Sequence, residues 1–445
     1  MNNIKVDFSD ILGVIKPMNA VNNGPKSSNK EQTSGNFYHF KRARIPYART
    51  HDSAMCPDYG GPHIVDITSV FPNFDADPYL PESYDFDLTD DFLQSIIDAG
   101  TQIFFRLGQS IEHSRKKYGI HPPKDFKKWA IICEHIIRHY NEGWANGFHH
   151  NIIYWEIWNE PNLHENNNSP TWSGTREQFF DLYEISAKHL KSCFPHLRIG
   201  GPALARGREW AEEFLAEMKK REAPLDFFSW HRYTCCIEIF MERVEYTRRI
   251  LDEAGFTETE SILNEWSYIK GWTDDFVYSL KAMNGIKGAS YVTAVMACCQ
   301  YAPLDMLMYY DARPRTAFNG LFNQITQEPQ KTYYSLYSFS NLAELGNAVK
   351  VDNCKDVYCV AATNGEHHGM LITHYNDDDS TPNKTVNLCW EGMNKKSKIS
   401  VYKTDEDLDL ALVQEIVVNG PDAEIHFDMK LFDMYYIDIV PVEEK

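Results

Sequence analysis

Two kinds of segment alternate along most of the chain. Short apolar runs with strand character are followed by segments in which apolar residues recur every three to four positions, as in an amphipathic helix. The predicted strands lie at residues 11–16, 46–51, 103–107, 152–159, 197–201, 227–233, 261–266 and 307–311. The predicted helices lie at residues 88–99, 124–140, 175–193, 209–221, 237–254, 276–284, 291–301 and 332–345.

This regular alternation of strands and helices predicts the fold. Successive parallel strands need a crossover connection, which is usually a helix and is right-handed. Eight such units are the number at which a parallel sheet closes into a barrel. The sequence therefore predicts an α/β fold, with a (β/α)8 TIM barrel over residues 10–345.

The pattern changes after residue 345. The apolar runs become short, are separated by turns, and have no helical period between them. These runs lie at residues 357–362, 370–375, 385–390, 399–403, 415–418 and 434–440. They predict an all-β sandwich over residues 346–445, completed by an N-terminal strand at residues 3–8.

The fourth predicted barrel strand ends in a carboxylate. Its apolar and aromatic residues stop at Asn159-Glu160-Pro161, where Pro161 cannot donate to a strand ladder. Because a TIM barrel carries its chemistry at the C-terminal ends of its strands, Glu160 is a candidate catalytic residue. The alternative is a strand that merely ends in a polar turn.

The seventh predicted strand repeats this arrangement and presents Glu265 at its C-terminal end. Strands four and seven lie on roughly opposite sides of a barrel mouth, so the two glutamates can converge on one bond. A retaining glycosidase needs two carboxylates about 5–5.5 Å apart, one as the nucleophile and one as the general acid and then base. The pKa values of the two groups must then differ, because the nucleophile is ionised and the acid keeps its proton.

Charge and composition restrict the partners and cofactors. The 445 residues carry 44 Lys and Arg against 63 Asp and Glu, and the net charge of -19 repels nucleic acids and anionic membranes. Neither a signal-peptide pattern nor a bilayer-length apolar run is visible, which favours a cytoplasmic location. The ten cysteines lack metal-ligand spacing, so neither a metal nor another cofactor is expected. A homo-oligomer is compatible with the sequence.

Five stretches, in this order and spacing, resemble glycoside hydrolase family 39. They lie at residues 47–51, 122–126, 156–163, 200–203 and 229–234. The family includes β-xylosidases and α-L-iduronidases, within a clan of retaining (β/α)8 glycosidases. The resemblance implies a retaining exo-glycosidase, β-xylosidase-like, that hydrolyses small glycosides or oligosaccharides by a two-glutamate double displacement and needs no cofactor.

The resemblance also implies roles for individual residues. Glu160 matches the acid/base and Glu265 the nucleophile. Asn159 matches the position that binds the sugar 2-hydroxyl, a contact that strengthens in the transition state. His231 and Tyr233 match a sixth-strand pair beside the nucleophile, where the Tyr233 phenol donates to Glu265; the alternative for this pair is a polar layer of the barrel.

The other expected substrate contacts lie on the second, seventh and eighth strands. Arg49 and His51 match a segment that lines the sugar pocket of the family. Trp266 is placed either to stack on a sugar face or to fill the core. Tyr310 lies in the eighth strand, which borders the first sugar subsites.

The eighth strand departs from the xylosidase pattern. It reads Tyr310-Asp311-Ala312-Arg313 where xylosidases have a Trp-rich segment. Other sugar specificities therefore stay open, namely for an arabinoside, a glucoside, a galactoside or a uronide. Further alternatives are an inverting enzyme and a catalytically retired barrel that only binds carbohydrate.

Overall fold

The computed structural model describes residues 2–25, 35–51, 63–112, 116–163, 170–393, 395–420 and 422–442. It contains a closed barrel of eight parallel strands and a second, nine-stranded sheet. None of the helices within these ranges has the length and apolar character needed to cross a membrane.

The strands are β1 (Asn2–Val14), β2 (Ala20–Asn22), β3 (Tyr47–Arg49), β4 (Gln102–Leu107), β5 (Tyr154–Ile157), β6 (Arg198–Leu204), β7 (Phe227–Thr234), β8 (Glu260–Tyr268), β9 (Met306–Tyr309), β10 (Asn347–Asp352), β11 (Val357–Thr363), β12 (His368–His374), β13 (Lys384–Glu391), β14 (Ser397–Thr404), β15 (Ala411–Val418), β16 (Ala423–Met429) and β17 (Met434–Pro441). The helices are α1 (Phe37–Arg42), α2 (Ile67–Val70), α3 (Asp87–Asp98), α4 (Phe126–Glu142), α5 (Arg176–Cys193), α6 (Arg208–Lys220), α7 (Ile237–Glu253), α8 (Phe276–Asn284), α9 (Ile286–Gln300) and α10 (Lys331–Leu345).

The barrel runs in sequence order from β2 to β9 and closes where β2 pairs with β9. At the N-terminal ends of the strands, its interior is filled by an apolar cluster that includes Phe104, Phe227, Ile262 and Met308. Towards the C-terminal ends of the strands, the polar side chains of Asn22, Arg49 and Glu265 contact one another. This is the mouth at which a TIM barrel builds its sites.

The predicted fold class is confirmed, as are seven of the eight predicted barrel strands and all eight predicted helices. Element ends differ by a few residues, most at α9, which begins five residues before the predicted start. The local pattern of apolar residues defines the ends of a helix less precisely than its presence.

The predicted first barrel strand, at residues 11–16, is wrong. Residues 2–14 form β1, which pairs with β10 and β13 in the second sheet. The apolar run that suggested a buried strand is instead on the surface, where Ile11, Leu12 and Val14 are 54%, 55% and 70% exposed. The first barrel strand is β2, whose three residues are too short for a periodic pattern.

The second sheet has the order β15-β14-β17-β12-β11-β10-β1-β13-β16. It folds back on itself, because Phe427 of β16 meets Tyr435 of β17 with ring centroids 4.7 Å apart. Ile4 and Val6 of β1 are buried in the enclosed core, as expected for the N-terminal strand. Strands β10 and β16 were not predicted, and the domain limits stay a prediction.

The second sheet packs on helices of the barrel. The hydroxyl groups of Ser290 in α9 and Thr373 in β12 lie 2.8 Å apart. Lys287 of α9 forms ion pairs with Asp377 and Asp379, at 3.0 and 2.7 Å. These acidic residues, which follow β12, therefore anchor the sheet to the barrel.

Candidate active site

Unusual backbone conformations bring Glu160 into the mouth of the barrel. Beyond the end of β5, Trp158 and Glu160 have φ values of 74° and 49°, in the left-handed region that non-glycine residues seldom adopt. Neighbouring strands hold this turn, since the Glu160 N–H donates to the Ala203 carbonyl at 2.9 Å. Gly108 passes so close that a Cβ there would lie 2.8 Å from Trp158 Cα. Strain of this kind is concentrated at functional sites.

A β-bulge positions the second glutamate. The pairing register between β7 and β8 shifts so that Asn264 is an extra residue and Glu265 stands opposite His231. A bulge of this kind redirects side chains. The Asn264 amide donates to the carboxylate of Glu156 inside the barrel, and the next side chain, Glu265, also reaches into the mouth.

The two carboxylates lie at the spacing of a retaining mechanism. A carboxylate oxygen of Glu160, one of Glu265 and a ring nitrogen of His231 all lie within 4.8 Å of one another. An inverting pair stands about 6.5–9.5 Å apart, to make room for a water molecule. His231 lies between the glutamates, with Nδ1 at 2.7 Å from Glu160 and 3.5 Å from Glu265.

Arg49 organises the floor of the site. Its guanidinium is fully buried and donates to Glu156 at 2.7 Å, to Asn22 at 2.9 Å and to Asn159 at 2.6 Å. It also lies 3.4 Å from a carboxylate oxygen of Glu265. One permanent cation therefore offsets two buried carboxylates, and its fixed fork of N–H groups orients the side chains around it.

Glu265 is surrounded by donors. The Tyr233 hydroxyl donates to its Oε1 atom at 2.6 Å. His51 Nε2 lies 3.6 Å from its Oε2 atom, on the side of Arg49. Hydrogen bonds and positive charge favour the ionised form of a carboxyl group.

Burial shifts the pKa values in the site. It raises the pKa of Glu160 to about 8, against the opposing charges of Arg49 and Arg206. Burial also raises the pKa of Glu265, but His231, Arg49 and the Tyr233 hydrogen bond oppose that rise. For His231, burial lowers the pKa to about 4, so the imidazole is neutral. Glu160 is thus equipped to hold a proton at neutral pH.

Asn159 has a free donor. Its Oδ1 atom accepts from Arg49, which fixes the orientation of the amide. Its buried Nδ2 atom has no hydrogen-bond partner among the residues that the structure describes. A buried donor is seldom left unpaired, so this N–H group is available to a ligand hydroxyl.

An aromatic cluster borders the Tyr233 side of the mouth. Trp272, between β8 and α8, is 56% exposed, and its ring centroid lies 5.1 Å from that of Tyr233. Phe276 and Phe318 lie nearly parallel to it, at interplanar angles of 22° and 12°. An exposed indole next to Tyr233, which binds Glu265, offers an apolar surface to a sugar ring.

Two groups in the described part of the chain bring metal-ligand atoms together. The first consists of Glu160, His231 and Glu265, where the Arg49 guanidinium, 3.4 Å from Glu265, already supplies positive charge and disfavours a cation. The second, on the outer faces of α4 and α5, consists of Glu134, His189 and Cys193.

Replacing Arg49 by Gln should strongly destabilise the protein. Without the guanidinium, the fully buried Glu156 carboxylate keeps only the Asn264 amide, and breaking a buried ion pair costs about 3–5 kcal/mol. Urea unfolding should show a much lower midpoint. Arg249→Gln is the control, because Arg249 pairs with Glu253 on the surface and should change stability by less than about 1 kcal/mol. Equal midpoints for the two variants would contradict the central role of Arg49.

The model of glycosyl hydrolases family 39 matches residues 62–407. This match covers most of the chain, including both glutamates. The chain belongs to this family.

Two β-xylosidases are similar in sequence to part of the chain. A β-xylosidase from Geobacillus stearothermophilus is 37% identical over 120 residues, 26% of this chain and 23% of the relative. A β-xylosidase from Caldicellulosiruptor saccharolyticus is 32% identical over 144 residues, 32% of this chain and 26% of the relative. The match thus spans about a quarter of the length of each relative.

Two solved structures share the fold over the full length of both chains. A glucosidase from Croceicoccus marinus superposes with a TM-score of 0.82 at 20% identity. A β-xylosidase from Caulobacter crescentus superposes with a TM-score of 0.75 at 16% identity. At such identities the likeness concerns the architecture of the barrel and its accompanying sheet.

The structure brings most of the predicted family 39 site residues together. Those in one connected group at the mouth are Arg49, His51, Asn159, Glu160, His231, Tyr233 and Glu265. Tyr310 borders this group, with its ring centroid 5.8 Å from that of His51. The roles of these residues in the reaction stay predictions.

The prediction of Trp266 as a sugar-stacking residue is wrong, and the alternative core role is the observed one. Its side chain is fully buried on the outside of the barrel wall, against Phe240 of α7 and Tyr291 of α9. Side chains of a strand alternate between its two faces, so the residue after Glu265 points away from the mouth.

Sequence reasoning missed two residues of the site. Glu156 is fully buried and binds Arg49 and Asn264. A carboxylate in the middle of the strand sequence Tyr-Trp-Glu-Ile was the available signal, since such a group needs a buried cation. Trp272 lies in a loop, and the local sequence carries no signal for its position at the mouth.

Proposed function

We propose that this family 39 protein is a retaining, β-xylosidase-like exo-glycosidase that acts on small glycosides or oligosaccharides. The observation that carries the proposal is the spacing of the Glu160 and Glu265 carboxylate oxygens, which lie within 4.8 Å of each other. That spacing suits direct attack by one carboxylate better than attack by an interposed water molecule.

The proposed reaction has two steps. Glu265 attacks the anomeric carbon and forms a covalent glycosyl ester, while Glu160 donates its proton to the departing glycosidic oxygen. Glu160, now a carboxylate, then takes a proton from water, which attacks the anomeric carbon and releases Glu265. Tyr233 and Arg49 keep Glu265 ionised before the first step and stabilise its charge after the second.

The surrounding residues support sugar binding. The free Nδ2 donor of Asn159 is the group we assign to the sugar 2-hydroxyl. His51 and Tyr310 lie side by side at the border of the site, and Trp272 provides an apolar edge beyond Tyr233. Polar groups thus fix the orientation of a sugar, while the indole contacts its C–H face.

Trp272→Ala should weaken substrate binding more than chemistry. The variant removes an exposed ring, so folding is preserved, and the loss of an aromatic contact should raise KM by about two- to tenfold. Steady-state kinetics on the preferred glycoside measure this, and kcat should change less than KM. Trp272→Phe should recover most of the loss. An unchanged KM in the Ala variant would show that Trp272 does not contact the substrate.

A panel of p-nitrophenyl glycosides tests the proposed activity. It should contain the β-xyloside, α-arabinoside, β-glucoside, β-galactoside and an iduronide analogue. The proposal predicts the highest kcat/KM for the β-xyloside. A preference for another glycoside would change the assigned sugar specificity but not the proposed mechanism. Saccharide binding without turnover of any glycoside would favour a catalytically retired barrel. The cytoplasmic location and the oligomeric state stay predictions.

A further inference from the structure

A cationic cleft adjoins the site at His231. It has a volume of about 190 Å³ and extends from His231 outwards, between the starts of α6 and α7. Its lining residues include the arginines Arg206, Arg208, Arg232 and Arg243 and a single carboxylate, Glu242. Such a concentration of positive charge is unusual in a chain with a net charge of -19.

Three of these arginines have no carboxylate partner among the residues that the structure describes. Glu242 pairs with Arg208. Within the described ranges, Arg206, Arg232 and Arg243 form no ion pair with a carboxylate, and Nε of Arg232 is buried without a hydrogen-bond partner. A buried, unpaired guanidinium N–H is costly unless a ligand or water satisfies it.

The electrostatics of Arg243 agree with an anion-binding site. Arg243 is 9% exposed, and burial lowers its pKa, helped by the neighbouring charges of Arg208 and Arg232. The cleft also lies at the N-terminus of α6, where Gly207 precedes the helix and no side chain caps the first N–H groups. The positive end of the helix dipole adds to the attraction for an anion.

Hydrogen bonds connect the cleft to the turn that carries Glu160. Asn162, two residues after Glu160, accepts from the Ala205 N–H at 3.1 Å and donates to the Arg206 carbonyl. The loop that carries Arg206 is thus tied to the turn that carries the proton donor. Since the proposed role of Glu160 is to protonate the glycosidic oxygen, the leaving group would lie beside this loop.

We infer that this cleft binds a carboxylate on the leaving group, and that the enzyme prefers acidic aglycones such as a uronic acid unit. This inference rests on the proposed function. The planar forks of Arg206 and Arg232 suit a carboxylate, which accepts two N–H bonds from one guanidinium. A neutral leaving group offers these donors no carboxylate.

The test compares two substrates with the preferred sugar, one with a 4-carboxyphenyl and one with a 4-carbamoylphenyl leaving group. The ratio of their kcat/KM values is measured in the wild type and in Arg206→Gln and Arg232→Gln. Because every protein sees the same two leaving groups, their intrinsic reactivity cancels. Each substitution should lower the preference for the acid by about tenfold.

Arg198→Gln is the matched control. Arg198 is an exposed arginine at the opposite end of β6, so its substitution removes one positive charge from the same strand but far from the cleft. The ratio should stay at the wild-type value. A ratio that is equal in all four proteins would overturn the cleft inference and leave the proposed function intact, since both substrates would still be hydrolysed.

A binding measurement keeps the inference testable without turnover. Calorimetric titration of the wild type with glucuronate and with glucose should show about tenfold tighter binding of the acid, and Arg206→Gln should remove that difference. Equal affinities for the two sugars in the wild type would overturn the inference.

Discussion

Glu265→Gly should reduce kcat by about 10⁴-fold or more, because it removes the carboxylate that we propose as the nucleophile. The small side chain leaves a space beside the anomeric carbon. Azide should enter this space and restore turnover of an activated substrate such as a 2,4-dinitrophenyl glycoside. The product should be the glycosyl azide of inverted configuration, identified by NMR spectroscopy.

The control for this experiment is Glu156→Gln. Glu156 is equally buried and lies in the same network, but its carboxylate contacts Arg49 and Asn264. Its loss should impair activity through the positions of those side chains, and azide should have no effect. A glycosyl azide of retained configuration from Glu265→Gly would mean that the two glutamates have the opposite roles.

Glu160→Gln should separate substrates by their leaving groups. Without a proton donor, kcat/KM for an alkyl glycoside should fall by about 10²- to 10⁴-fold. A 2,4-dinitrophenyl glycoside needs no protonation, so its kcat/KM should fall far less. Glu245→Gln, an exposed glutamate on α7, serves as the control and should leave both values unchanged. An equal loss on both substrates would exclude Glu160 as the acid.

The pH dependence of kcat/KM should also reflect the proposed role of Glu160 as the acid. A general acid acts only while it is protonated, and the pKa of Glu160, the proposed acid, is raised to about 8. The wild-type kcat/KM for an alkyl glycoside should therefore decline as the pH rises above about 8. On the acidic side activity should decline where Glu265 becomes protonated, above the usual range of a glutamate because burial raises its pKa. In Glu160→Gln the basic limb should disappear when the activated substrate is used.

The pattern of the sequence was enough to predict the barrel, since seven of its strands and eight helices follow apolar periodicity. The prediction from the sequence failed where an apolar run is exposed instead of buried. The apolar run around Ile11 and Leu12 forms an exposed end of β1, and the true first strand, β2, has three residues. Pairing with strands that are distant in the sequence determines the placement of both β1 and β2. The local periodicity of the sequence does not reveal such pairing.

Most residues of the site were predictable from the sequence, but their spacing was not, because it depends on the folded backbone. Two glutamates at strand ends and the motifs around them pointed to the residues that meet at the mouth. Their spacing depends on the left-handed turn at Glu160 and the bulge at Asn264, which local sequence does not reveal. The same bulge directs Trp266 into the helix layer, and the loop position of Trp272 became visible only in the folded chain.

The stereochemistry of the reaction tests the central claim most directly. ¹H NMR spectroscopy, recorded during the first minutes of hydrolysis of the preferred p-nitrophenyl glycoside, identifies the anomer that forms before mutarotation. The closely spaced carboxylates of Glu160 and Glu265 predict a first-formed sugar with the same anomeric configuration as the substrate. A first-formed sugar of the opposite configuration would contradict the two-step mechanism.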